Sequence, residues 1–140
     1  MEKKPIVPVS EEARQRLLNL QGYVILGRPK GGNSYQGYVE NSWTMDWRGD
    51  YAVFFWSGEA VSNFGTKHNL NAYKDAKYHF DRLIQDRPDW DIQMFDVRDE
   101  NIPVVLDWEG WIEAQAYNPN TLSGVTDKFK ARNFKFTMKE

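Results

Sequence analysis

Residues 107–113 set three carboxylates among two indoles: Asp107, Glu109 and Glu113 around Trp108 and Trp111. Paired acids beside aromatic rings suit glycoside hydrolysis, in which one acid protonates the leaving oxygen and the other acts as base or nucleophile. The same acids could hold a divalent metal for a hydrolase-type reaction. Asp107 and Glu109 share one face of an extended strand, however, and Gly110 interrupts the chain beyond them. A solvated hairpin with its Trp rings laid on a sheet accounts for the same residues.

The chain has two histidines, His68 and His79. Asp75 and His79 stand at i, i+4, so one helix face could present two metal ligands or a base with its orienter. No Ser in a recognisable nucleophile setting accompanies them. Residues 27–34 (GRPKGGNS) read as a loop in which Arg28 and Lys30 supply charge and Gly31 and Gly32 free backbone N–H groups for an anion. Asn33 stands where a P-loop needs Lys, and no helix clearly comes after it to support a phosphate with its dipole. Near the C-terminus, Lys128, Lys130, Arg132 and Lys135 alternate with Phe129, Phe134 and Phe136. Rings that stack and bases that meet phosphates suit a nucleotide or nucleic acid; a half-buried strand shows the same alternation. No set qualifies as catalytic, and neither a metal nor a cofactor is expected.

The elements that would position these residues are set by periodicity. Residues 1–9 read as an extended arm fixed by Pro5 and Pro8. A short helix is expected from Ser10, with Glu11 and Glu12 at its positive end and Gly22 as its stop. Strands are expected at 23–26, 35–40, 51–56, 92–97, 104–108 and 131–138, with 43–47 pairing onto 51–56 across an Arg48–Gly49–Asp50 turn. Residues 111–117 also alternate and read as a strand, entered by a Glu109–Gly110 turn. The strongest helix spans Ala72 to Asp86. Asn71 caps it, Tyr73, Ala76, Phe80, Leu83 and Ile84 recur at helical spacing, and Pro88 stops it. Most connections are too short for parallel crossovers. The fold class expected is therefore α+β: a mostly antiparallel twisted sheet with one main helix packed on one face, and a short N-terminal helix.

At 140 residues the chain is expected to be one domain, burying about 68–70% of the surface its unfolded form exposes. It contains no Cys, which excludes disulfides, thiol nucleophiles and Cys-ligated zinc. No signal-like or membrane-spanning run occurs in it, so a cytoplasmic protein without membrane contact is expected. Net charge is −2, but unevenly spread. Residues 86–113 carry nine acids and two bases, whereas residues 124–140 carry five bases and two acids.

The order of a Tyr23-Val24-Ile25 strand, a hairpin with Trp43, an Ala52-Val53-Phe54 strand, a Ser57-Gly58-Glu59-Ala60 link, a helix through Phe80 and a strand over 92–97 resembles small orphan domains encoded by bacteriophages. The resemblance covers about residues 22–98. It implies an accessory or host-interference factor, and it transfers no functional residues.

What remains is the aromatic content: six Trp, seven Tyr and eight Phe. Phe54, Phe55 and Trp56 are consecutive, so a strand there must send rings to both sheet faces. One face can lie under the main helix, and the other needs a second covering layer or a partner. Interfaces enrich Trp, Tyr and Arg. The leading expectation is a non-enzymatic protein-interaction module that binds a protein partner, or a second copy of itself, through Trp43, Trp47, Trp56, Trp108 and Trp111. The alternatives are a nucleotide or nucleic-acid binder using Arg28, Lys30, Lys128, Lys130, Arg132 and Lys135, and a metal-dependent hydrolase using the acidic residues.

Overall fold

The computed structural model describes residues 11–40, 45–61, 66–116 and 132–139. Its elements are α1 (Glu11–Leu18), β1 (Gly22–Pro29), β2 (Gln36–Glu40), β3 (Met45–Arg48), β4 (Tyr51–Trp56), β5 (Gly58–Val61), β6 (Lys67–Leu70), α2 (Ala72–Asp86), β7 (Trp90–Asp96), β8 (Val104–Leu106), α3 (Trp108–Ala116) and β9 (Arg132–Met138). The expected class holds: a curled, antiparallel sheet carries one main helix. Ser10, the expected start of the first helix, lies outside the described residues.

β1 is the axis of the sheet. β7 pairs along its whole length on one edge. On the other edge β4 meets its first residues (Gly22↔Trp56, Tyr23↔Phe55) and β2 its later ones (Leu26↔Gly37, Gly27↔Gln36). From there the sheet continues through β2 to β3 and through β4 and β9 to β8. Where β2 and β4 converge the backbones almost touch. A Cβ on Gly37 would lie 2.0 Å from the Tyr51 carbonyl oxygen, so only glycine fits.

Side-chain alternation in β1 and β4 builds two cores. Val24 and Leu26 join Ala52, Phe54 and Trp56 on one face, with Phe134 and Phe136 of β9, Val104 of β8, and Trp111 and Ile112 of α3. Ile25 joins Val53 and Phe55 on the other face, with Tyr38, Ile92, and Ala76 and Leu83 of α2. The run Phe54-Phe55-Trp56 is thereby explained: α2 covers one face, and α3, with Leu18 and Leu20 beside it, closes the other.

α2 has the bounds expected of it, and Asn71 caps it by accepting a hydrogen bond from the Lys74 N–H at 3.0 Å. Four local expectations are corrected, and one unanticipated element, a small hairpin, is added. Residues 111–116 are helical, because Asp107 caps α3: its Oδ1 accepts from the Gly110 N–H at 2.8 Å and its carbonyl from the Trp111 N–H at 3.0 Å. Trp108, Trp111 and Ile112 then share one helix face at i, i+3, i+4, while Glu109 and Gly110 form its first turn. β3 pairs with β2 and not across the turn with β4, whose two edges are already occupied by β1 and β9. The link from Ser57 to Asn71 contains a small hairpin, β5–β6, outside the main sheet. Gly22 opens β1, where a Cβ would strike the Phe54 ring at 2.1 Å. β1 extends through Arg28 and Pro29, which shortens the Gly-rich loop, and Gly31 takes the left-handed conformation (φ 87°) at its turn.

Candidate functional site: an aromatic rim along the main helix

The five tryptophans singled out from the sequence fall in different settings. Trp56 and Trp111 are buried, each 5% exposed. Trp108 is half-buried on α3 and closes an aromatic cluster. It lies 4.7 Å from the Phe134 ring and 5.9 Å from Phe54, both edge to face, while Trp111 stacks on Phe134 at 5.7 Å. Arg98 covers Trp108 at 6.0 Å and donates to the Leu18 carbonyl; Arg14 of α1 pairs with Glu109 of α3. These contacts tie both helices to the sheet, so Trp56, Trp108 and Trp111 work as core packing. Trp111 Nε1 is the buried side-chain polar atom that lacks a hydrogen-bond partner among the described residues. Trp43 lies outside the described residues.

Trp47 is different. It sits half-buried on β3, its ring 5.0 Å from that of Trp90, also half-buried, at the start of β7. Arg87 stacks over Trp90 at 5.1 Å. Trp90 was not singled out from the sequence, because the strand expected there began two residues later. The signal for it was Pro88-Asp89, a turn that ends α2 and delivers the next residue into β7. The Trp pair lies at the α2 C-terminal end of the sheet face. At the other end Tyr73 of α2 meets Tyr23 of β1 edge to face at 5.8 Å, and Tyr73 is 53% exposed.

Between these ends α2 shows two flanks. On one, His79 reaches Tyr38: the fully buried phenol and His79 Nδ1 are 3.0 Å apart, and both rings pack on Phe55. Asp75, one turn earlier, has its carboxyl raised above the usual range by partial desolvation, opposed by the positive fields of His79 and Lys74. This contact ties α2 to β2 and β4. The opposite flank, turned toward β7, carries Tyr73, Lys77, Phe80 and Ile84 at i, i+4, i+7 and i+11. The Lys77 ammonium lies 5.6 Å from the Phe80 ring, and Ile84 is 40% exposed. Tyr78, also exposed, stacks with Arg82 on the outer surface.

The basic residues are placed otherwise. The Arg28 guanidinium lies 4.3 Å above the Tyr35 ring and 3.5 Å from Asp91. The Tyr35 hydroxyl donates to Asp91 at 3.2 Å, and Gln93 donates to the other Asp91 oxygen at 3.2 Å. The Gln93 hydrogen bond, then those from Tyr35 and Arg28, hold the Asp91 carboxyl below its ordinary value against the effect of burial. Burial and the Asp91 charge raise the Tyr35 phenol. Arg28 is thus committed within the fold, while Lys30 is exposed beside it. Lys135 is exposed on β9, and β4 stands between β9 and β1. Lys128, Lys130 and the Arg132 side chain lie outside the described residues. Among the described residues no three His, Asp or Glu side chains converge on a point that could hold a metal ion. The Glu113 side chain is outside them. No described helix is long and apolar enough to cross a membrane.

Comparison of the chain with protein-family models, with curated proteins and with solved structures finds no match.

Proposed function

We propose that the protein is a non-enzymatic interaction module that binds another protein over the α2 face of its sheet. The observation that carries this reading is the Trp47–Trp90 pair with Arg87 stacked on it, left half-buried at the rim of a sheet face whose centre is fully packed. Trp and Arg beside a dry, rigid core are the residue types that dominate binding energy at protein interfaces. Exposed Tyr73 and Tyr78 continue the aromatic surface along the helix. An accessory or host-interference role, as the resemblance to phage-encoded domains implies, is a binding role of this kind, exercised in the cytoplasm of the host cell.

The reading narrows the expected anchors to Trp47 and adds Trp90. Truncating a true anchor costs about 2 kcal/mol or more of binding energy. The test is affinity purification from the native cell, followed by calorimetry on the protein recovered. Trp47→Ala and Trp90→Ala should each weaken binding while the fold persists. Recovery of no partner, or a partner indifferent to both changes, overturns the proposal.

A further inference from the structure

Among the described residues, the pairing of β7 leaves one edge of the sheet unpaired. The Val97 N–H donates to the Gly22 carbonyl and the Lys30 N–H to the Asp89 carbonyl, which fixes the phase of the β1–β7 ladder. In an antiparallel pair the residues alternate between exchanging hydrogen bonds and facing outward. Asp91, Gln93 and Phe95 therefore bond to β1, while Ile92 and Met94 turn their N–H and C=O groups to the outer edge. Trp90 and Asp96 face outward as well, but their groups are partly used by the turns at each end: the Trp90 N–H donates to the Arg87 carbonyl, and the Asp96 carbonyl accepts from the Asp99 N–H. No described strand pairs with this edge.

Two further features lie along it. The Tyr73–Lys77–Phe80–Ile84 flank of α2 runs beside β7, and α2 and β7 are antiparallel neighbours joined by a short turn. An unpaired edge beside a largely apolar helix flank, with Lys77 paired to Asp81, is the arrangement that accepts an added strand: main-chain bonds hold it, and alternate side chains meet the helix. The edge is also acidic. With Asp91 already paired to Arg28, Asp86, Asp89, Asp96, Asp99 and Glu100 still outnumber Arg87 and Arg98 over residues 86–100. Self-pairing of β7 with a second copy would bring these like charges together, whereas a basic strand would be attracted.

We infer that β7 binds an extended segment of a partner protein as an additional strand, with apolar residues on the α2 side and lysine or arginine among them. This deepens the interaction reading above and rests on it.

The test uses the full chain and a short capped peptide alternating lysine and valine, with a glutamate–valine peptide as its control. Backbone amide exchange is followed by NMR. The lysine peptide should slow exchange at Ile92 and Met94 by about tenfold or more, and the glutamate peptide should not. Met94→Pro removes an outward N–H, a change edge strands tolerate, together with a side chain packed on the α2 core, and should weaken the lysine peptide about tenfold or more, a loss of about 1.4 kcal/mol. Asp86→Lys with Asp89→Lys should weaken it with the strand intact, which keeps the test open if the proline variant fails to fold. Absence of protection at Ile92 and Met94, or equal binding of both peptides, overturns the inference. So does a dimer seen by sedimentation that Met94→Pro abolishes, since the edge would then belong to a second copy. Peptide binding that depends on Trp47 and Trp90 without protecting the β7 edge overturns the strand addition alone and leaves the interaction reading in place.

Discussion

The two faces of the sheet use the same residue types to opposite ends. Under α3, Phe54, Phe134, Trp108 and Trp111 pack edge to face and stacked, and three of the four are at most 5% exposed. Under α2 the centre is equally dry, with Tyr38, Ile25 and Val53 almost wholly buried, but Trp47, Trp90, Tyr23 and Tyr73 ring it half-covered or open. An aromatic side chain is worth most when fully desolvated. A face that stops short of this at its margins has left binding energy unspent. On the interaction proposed above, aromatic content marks a site only where the packing leaves it incomplete.

The sharpest way to break this contrast is to truncate matched rings. Phe134→Ala should lower the unfolding free energy by about 3–5 kcal/mol, because Phe134 is fully buried and touches three other rings. Trp90→Ala should cost about 1–2 kcal/mol of stability, since its ring is half-buried. Urea denaturation measures both, and equal losses would erase the distinction between closed core and open rim.

Two backbone changes probe what holds the faces in place. Gly37→Ala drives a Cβ against the Tyr51 carbonyl, which cannot yield without parting β2 from β4, and should cost about 1–3 kcal/mol. Asn71→Ala removes the cap of α2 and should cost about 1 kcal/mol. It should reduce hydrogen-exchange protection in the first turn of α2 while leaving α3 unchanged.

The smallest effects lie in the acid limb of the stability curve, and they have opposite signs. The folded Asp91 carboxyl sits below its unfolded value, so its contribution is full above the ordinary carboxylate range and is lost as pH falls through the lowered value. Asp75 sits above its unfolded value, so the folded state holds that proton more tightly and its contribution falls as pH rises through the raised value. Asp91→Asn should lower stability at neutral pH and soften acid unfolding. Asp75→Asn should raise stability slightly at neutral pH and remove a gain on acidification. Both groups are well solvated, and the shifts in urea midpoint should be small.

Much of this was legible in the sequence for physical reasons. The bounds of α2 are set by local features: Asn71 as cap, apolar residues at helical spacing, and Pro88 as stop. β4 and β9 were legible because alternation or a continuous apolar run signals a strand regardless of its neighbours. Residues 108–116 misled because Ile112, Ala114 and Ala116 fit a two-residue period while Trp108, Trp111 and Ile112 fit a helical one. Only the Asp107 side chain, capping Gly110, decides between them. The partner of β3 was illegible, since it depends on β1 and β9 already occupying the edges of β4. Of the residues expected at an interface, Trp47 stands half-buried at the rim of the α2 face. Trp56 and Trp111 could not be told apart from it without knowing that α3 covers the second face. Trp90 escaped because its neighbour in space, Trp47, is 43 residues away in the chain.

The central claim is that the rim of the α2 face binds a partner and the α3 face does not. Its most direct test compares partner affinity in two variants: Trp47→Ala with Trp90→Ala at the rim, and Val104→Ala, a buried change on the α3 face. The rim variant should lose about tenfold or more in affinity for the purified partner, and Val104→Ala, although less stable, should bind as the parent does. Equal affinity in both variants, or a loss that tracks stability and not position, would contradict the account.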